Sequence, residues 1–227
     1  MNTGLRGRSV VLAGAGSDVG RATAVRLAES GARVLVTDLR RARVERTLKA
    51  VTDAGGTGTA VVGDLSDQRV AEHVTDTALD VFGGVDVLVN SSTITDGISA
   101  LGETEIAEWY RVLEVNLTAP FLLTRAVLPH MLAAGRGSVV FALSGACPYG
   151  SGTGTARTAA DHGVMGLVRS LADRYRGSGV RANAVFRAGS VGGSAEDVAA
   201  AIAFLASDTA RAVNGLALPV HDGWSAV

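Results

Sequence analysis

An arginine and an aspartate stand one helical turn apart in ARTAADHG, residues 156–163, as Arg157 and Asp161. A guanidinium stays protonated at any working pH, so Arg157 can clamp an anion but is a poor general acid or base. At i, i+4 the two can pair in the less favourable Arg-to-Asp order, and an exposed pair contributes only about 0.3–0.5 kcal/mol. A silent, salt-bridged surface is therefore expected over a repurposed polar site. Upstream, Ser144 closes the run GSVVFALS and Asn116 lies in EVNLTAPF. Either can do chemistry, or respectively cap a turn and hold a local backbone distortion within a helix. Tyr149, in the glycine-flanked stretch SGACPYGSG, is the nearby phenol that could supply a proton.

A second set of residues points to a nucleotide. In LAGAGSDVGRATAVRLAES, Gly14, Gly16 and Gly20 follow an apolar run and open an amphipathic one. Glycines there let the backbone approach a pyrophosphate, whose charge is met by helix N-terminal N–H groups. Asp38 follows roughly 20 residues on, where a carboxylate can accept hydrogen bonds from the adenosine ribose. It would repel a 2′-phosphate, so NAD is expected over NADP. Asp18 runs against this pattern: it can cap the helix, or place negative charge beside the phosphates.

These residues need a scaffold, and the alternation of the chain supplies one. Apolar runs rich in β-branched residues recur at SVVLAG (from Ser9), ARVLVTD (Ala32), TAVVGD (Thr59), VDVLVN (Val85), GSVVFALS (Gly137), VRANAVF (Val180) and GLALPV (Gly215). Runs without alternation fit parallel strands covered on both faces. Segments with helical spacing lie between them, so the expectation is an α/β, Rossmann-type, doubly wound sheet of seven parallel strands with helices on both faces. Residues 1–227 read as a single domain, without an internal repeat or linker.

Composition narrows the setting. A net charge of −1 gives no bulk attraction to nucleic acid or to an anionic membrane. Cys147 is the only cysteine, so no intrachain disulfide can form. It reads as a small loop residue, since no histidine is predictably paired with it. His73, His130 and His221 have no metal-ligand spacing, and no metal site is expected. The polar start MNTGLRGRS is unlike a signal peptide, and no apolar run approaches membrane-spanning length. A cytoplasmic location is expected.

The chain resembles the short-chain dehydrogenase/reductase family over nearly its whole length. The family's turn, Thr-Gly-x-x-x-Gly-x-Gly, matches AGAGSDVG at Gly14 and Gly20, with Ala13 and Asp18 in place of the threonine and middle glycine. GDLSD is similar to the adenine-contacting Asp-Leu and nominates Asp64 and Leu65. LVNSST retains only Asn90 of the Asn-Asn-Ala-Gly motif, and Asn116 takes the position of the catalytic asparagine. Ser144 corresponds to the family's carbonyl-polarising serine. Gly163 and Gly166 fix the register of the next helix, in which the proton-transferring tyrosine falls on Arg157 and its lysine on Asp161. After the sixth strand Arg187 and Ala188 replace Pro-Gly, and the segment around 187–195 is too short to cover a substrate.

The resemblance further implies oligomer formation through the helices FLLTRAVLPHML (121–132) and GVMGLVRSLADRY (163–175), which carry more apolar residues than one sheet-facing stripe requires. Several parts of one mechanism are absent together. The expected function is therefore a non-catalytic structural or regulatory subunit, as a homo- or hetero-oligomer with an active relative. The alternatives are an NAD-dependent oxidoreductase with an altered proton route through Ser144, Asn116 and Tyr149, and a non-redox enzyme using Arg157 and Asp161.

Overall fold

A computed structural model describes residues 4–144, 153–187 and 193–221. Seven strands form one sheet in the order β3-β2-β1-β4-β5-β6-β7, and every strand pairing is parallel. They are β1 (Ser9–Ala13), β2 (Arg33–Asp38), β3 (Thr57–Val62), β4 (Val87–Asn90), β5 (Gly137–Ser144), β6 (Val180–Arg187) and β7 (Ala217–Val220). Crossover helices are α1 (Asp18–Glu29), α2 (Arg41–Asp53), α3 (Gln68–Phe82), α4 (Ile106–Leu113), α5 (Ala119–Ala133), α6 (Thr155–Arg174) and α7 (Ala195–Ala206).

The apolar runs are continuous because both faces of the sheet are covered. Val11, Leu35, Leu88 and Val139 face one core with residues of α3, α5 and α6, while Val10, Val34, Val89 and Val140 face the other with residues of α1, α2 and α7. Reversal of strand order occurs between β1 and β4, and all seven strands deliver their C-terminal ends to one edge. That edge is where ligands of open α/β sheets bind.

From Ile106 to Ala133 the backbone is helical for 28 residues, long and apolar enough for a membrane span by length and composition. This departs from the expectation that no run reaches such a length. Leu123, Val127 and Met131 are fully buried against the sheet, so this is a core helix. The continuity arises because α4 passes into α5 through a π-helical turn, Glu114–Thr118, without a break.

Candidate functional site

The β1–α1 turn is built from close backbone approaches. Gly14 has φ +72°, and a Cβ there would lie 2.4 Å from the Ser91 carbonyl carbon, so only glycine lets this turn pack on the chain leaving β4. Gly20 is held as tightly: its Cβ would be 2.2 Å from the Gly14 carbonyl oxygen. Ser17 is the N-cap of α1, its Oγ accepting from Gly20 N at 2.9 Å. Asp18 is therefore not the cap that its position allowed; it is the first helical residue. Its Oδ1 accepts from Val19 N at 2.8 Å and its Oδ2 from Arg187 Nη1 at 3.1 Å. Partial burial pushes the Asp18 carboxyl up, but these hydrogen bonds and the Arg187 charge outweigh it and hold the group below its usual range.

Asp38, at the end of β2, ties the turn to the next strand: Oδ2 accepts from Gly16 N and Oδ1 from Arg40 N, both at 3.1 Å. A pocket of about 230 Å³ opens beside it, lined by Gly14, Ser17, Asp38, Asp64, Leu65 and Ser92 among others. A Cβ on Gly16 would sit 2.8 Å from Asp38 Oδ2 and 2.5 Å from Arg43 Cβ, so the turn packs against these two side chains only because Gly16 has none. Asp64 Oδ1 accepts from Ser66 N at 3.0 Å and Oγ at 2.7 Å, and its Oδ2 lies 3.7 Å from Arg111 Nη1. Burial opposes ionisation of Asp64, yet the Ser66 hydrogen bonds and Arg111 keep its carboxyl low. These residues fit the adenosine half of a dinucleotide. Asn90 turns elsewhere: its amide donates to Thr124 Oγ1 at 3.3 Å in the core, and the pocket wall passes to Ser91–Ile94.

At the other end of the groove the nominated residues diverge. Ser144 is the last residue of β5, in register with Arg187 of β6, whereas Tyr149 and Cys147 lie outside the described residues. Asn116 sits in the π-helical turn and is bonded on both sides of its amide by one residue. Its Oδ1 accepts from Ile94 N and its Nδ2 donates to Ile94 O, both at 2.8 Å. It clamps the β4–α4 loop rather than presenting a free amide.

Arg157 and Asp161 do pair, Nε to Oδ2 at 3.7 Å, but the expected exposed surface is wrong: they are 9% and 3% accessible. The reason is the β4–α4 loop, which folds onto the first turn of α6. Thr155 N and Oγ1 donate to Ser99 O, each at 3.2 Å, and Arg157 N donates to Asp96 Oδ2 at 3.1 Å. Between Asn90, Asn116, Leu143 and Asp161 only about 10 Å³ is left, the room of a single water.

The match to the family model described as short chain dehydrogenase covers residues 8–195, most of the chain. The chain belongs to the short-chain dehydrogenase/reductase family. Two curated members of this family align along nearly its full length. The cis-4-hydroxycyclohexanecarboxylate dehydrogenase of Sinomonas cyclohexanicum is 37% identical over 243 aligned positions, 97% of each protein. The 3beta-hydroxysteroid dehydrogenase 2 of Eggerthella lenta is 30% identical over 255, covering 99% of this chain and 97% of that one. Both alignments exceed the 227 residues of this chain, so each relative carries residues that it lacks. Among solved structures, levodione reductase superposes with a TM-score of 0.94 at 30% identity, over 98% of this chain and 99% of that one.

One residue of this short-chain dehydrogenase/reductase family member that sequence reasoning missed is Asp96. It is 1% accessible and caps α6 from a distant loop. The available signal was Gly154, which precedes α6 without a side chain to cap it. A Cβ on Gly154 would lie 2.4 Å from the Asp96 carboxyl carbon. A larger cleft, about 460 Å³, opens at the opposite edge of the sheet around Arg8, Asp86 and Arg136, and none of the nominated residues lines it.

Proposed function

We propose that this chain is an NAD-dependent oxidoreductase acting on a ring-borne secondary alcohol or the corresponding ketone, with a proton route other than the family's tyrosine and lysine. The observation that carries this reading is the pocket of about 230 Å³ between the glycine turn and the ends of β2 and β3, where Gly14, Ser17, Asp38, Asp64 and Leu65 converge. The relatives named as dehydrogenases of hydroxylated rings support the substrate class.

Bound NAD would supply or accept the hydride. Asp38 would hold the adenosine ribose, Asp64 and Leu65 would border the adenine, and the α1 N-terminus would meet the phosphates. Reduction of a ketone also requires one proton on the carbonyl oxygen. Arg157 cannot give it, and the Asn116 amide is engaged with Ile94. Water or the Tyr149 hydroxyl would be the source, with Ser144 at the strand end to orient the oxygen. A positioned acid is worth about 10²–10⁴-fold, so turnover is expected to be slow.

The buried Arg157–Asp161 pair favours a second reading, the non-catalytic subunit. Its burial weighs equally against a non-redox enzyme using these two residues, because a substrate would have to displace the loop that covers them. Assay of NADH oxidation with cyclic ketones separates the readings: slow, protein-dependent turnover supports the enzyme, and its absence in a protein that binds NAD supports the subunit.

Assembly into oligomers is part of the proposal, in a cytoplasmic setting that the absence of paired cysteines fits. Val164, Met165 and Val168 of α6 are used by the chain's own core, while Ile106, Tyr110 and Phe121 on α4 and α5 are exposed. Apolar surface of this kind supports an interface along the α4–α5 helix. Sedimentation should give a species larger than the 23.1 kDa chain, and Tyr110→Glu should shift it to the monomer.

A further inference from the structure

One ion pair joins two elements at the C-terminal edge of the sheet. Asp18 is the first residue of α1, Arg187 the last of β6, and two strands, β4 and β5, separate β1 from β6. Arg187 Nη1 donates to Asp18 Oδ2 at 3.1 Å and its Nε to Gly193 O at 2.9 Å. The guanidinium is thus held between the α1 N-terminus and the backbone that leads into α7. Both side chains reach solvent, 34% accessible for Arg187 and 62% for Asp18, so the pair can open at little cost.

The place matters because a dinucleotide's pyrophosphate would lie at the N-terminus of α1. An unneutralised carboxylate on the first residue would repel it. A guanidinium tethered to that carboxylate cancels the repulsion, and its planar donors match phosphate oxygens as well as carboxylate oxygens. Neither charge is expected from the family resemblance, which has glycine where Asp18 stands and proline where Arg187 stands.

We propose that Arg187 is the pyrophosphate-binding cation of this chain, and that Asp18 occupies it until a nucleotide displaces the carboxylate. The inference rests on the reading of the groove as an NAD site. Asp18 acts as an internal competitor: it keeps Arg187 over the helix terminus, and its release to solvent is the exchange that binding requires. Affinity for phosphate-bearing nucleotides then depends on both residues, and affinity for an uncharged nucleoside on neither.

The test is a calorimetric double-mutant cycle on the whole chain, with NAD and adenosine as probes and folding checked by circular dichroism. Arg187→Ala is expected to weaken NAD by about tenfold or more, Asp18→Asn to tighten it, and Arg187→Lys to recover part of the loss. The deciding step is Arg187→Ala placed on Asp18→Asn. A loss of NAD affinity there, with adenosine unchanged, supports direct phosphate contact. No loss in that background would mean that Arg187 merely neutralises Asp18, and would overturn the proposal; so would an equal loss for adenosine. Failure of wild type and Asp18→Asn alike to bind NAD would instead bring down the NAD reading itself, and this inference with it.

Discussion

Arg157 and Asp161 form a buried ion pair, 3.7 Å from Nε to Oδ2, in the helix positions where the family resemblance places a tyrosine and a lysine. Removing one partner of such a pair leaves the other charged in a site closed to water, whereas replacing both with apolar groups does not. Arg157→Ala or Asp161→Ala alone is expected to destabilise the fold by about 3 kcal/mol or more. The double variant Arg157→Met, Asp161→Leu should lie within about 1–2 kcal/mol of wild type. Urea denaturation of the three variants checks this, and equal, small effects would mean that the pair is solvated.

Asp38 is flanked by Arg40 and Arg43 on the wall of the pocket proposed for adenosine. While its carboxylate is present, a 2′-phosphate meets negative charge; once it is gone, the two arginines are left to attract one. Asp38→Asn should therefore weaken NAD and strengthen NADP, reversing the preference in a calorimetric titration. An unchanged preference would remove Asp38 from the discrimination.

Asp86 accepts from Ser9 N at 2.9 Å and pairs with Arg136 at 2.7 Å and Arg8 at 3.3 Å, which joins the N-terminal ends of several strands. Burial pushes its carboxyl up, but the Ser9 hydrogen bond and the two arginines prevail and hold it low. A carboxyl depressed on folding stabilises above its unfolded pKa, about 3.9, and that stability is lost as pH falls through the folded value. Asp86→Asn should thus be less stable than wild type at pH 7, and the difference should shrink as pH drops below about 3.9. Denaturation midpoints of both proteins across that range give the answer; a difference independent of pH would contradict it.

The scaffold was legible because a sheet covered on both faces writes itself as unbroken β-branched runs. All seven strands begin and end within two residues of the runs that announced them, and the glycine turn announced the groove edge. The state of the catalytic position was not legible in the same way. Helix spacing gave the Arg157–Asp161 pairing but not its burial, which depends on a loop some 60 residues upstream in sequence, latched through Asp96 and Ser99. Nor does local sequence show that both ends of the Asn116 amide bond Ile94, or that Asp18 meets Arg187, 169 residues away. Such contacts follow from the closure of the fold, and periodicity carries no trace of them.

The proposed oxidoreductase requires that hydride move to a ring ketone on this chain with Arg157 and Asp161 buried in α6. The most direct measurement is transfer of deuterium from NADH labelled at the reactive carbon into the cyclic alcohol product, followed by mass spectrometry over hours. The expected result is incorporation of one deuterium per product, at a rate below about 1 per second and absent from heat-denatured controls. A protein that binds NAD yet delivers no deuterium to any ketone of the class would contradict the account and leave the non-catalytic subunit in its place.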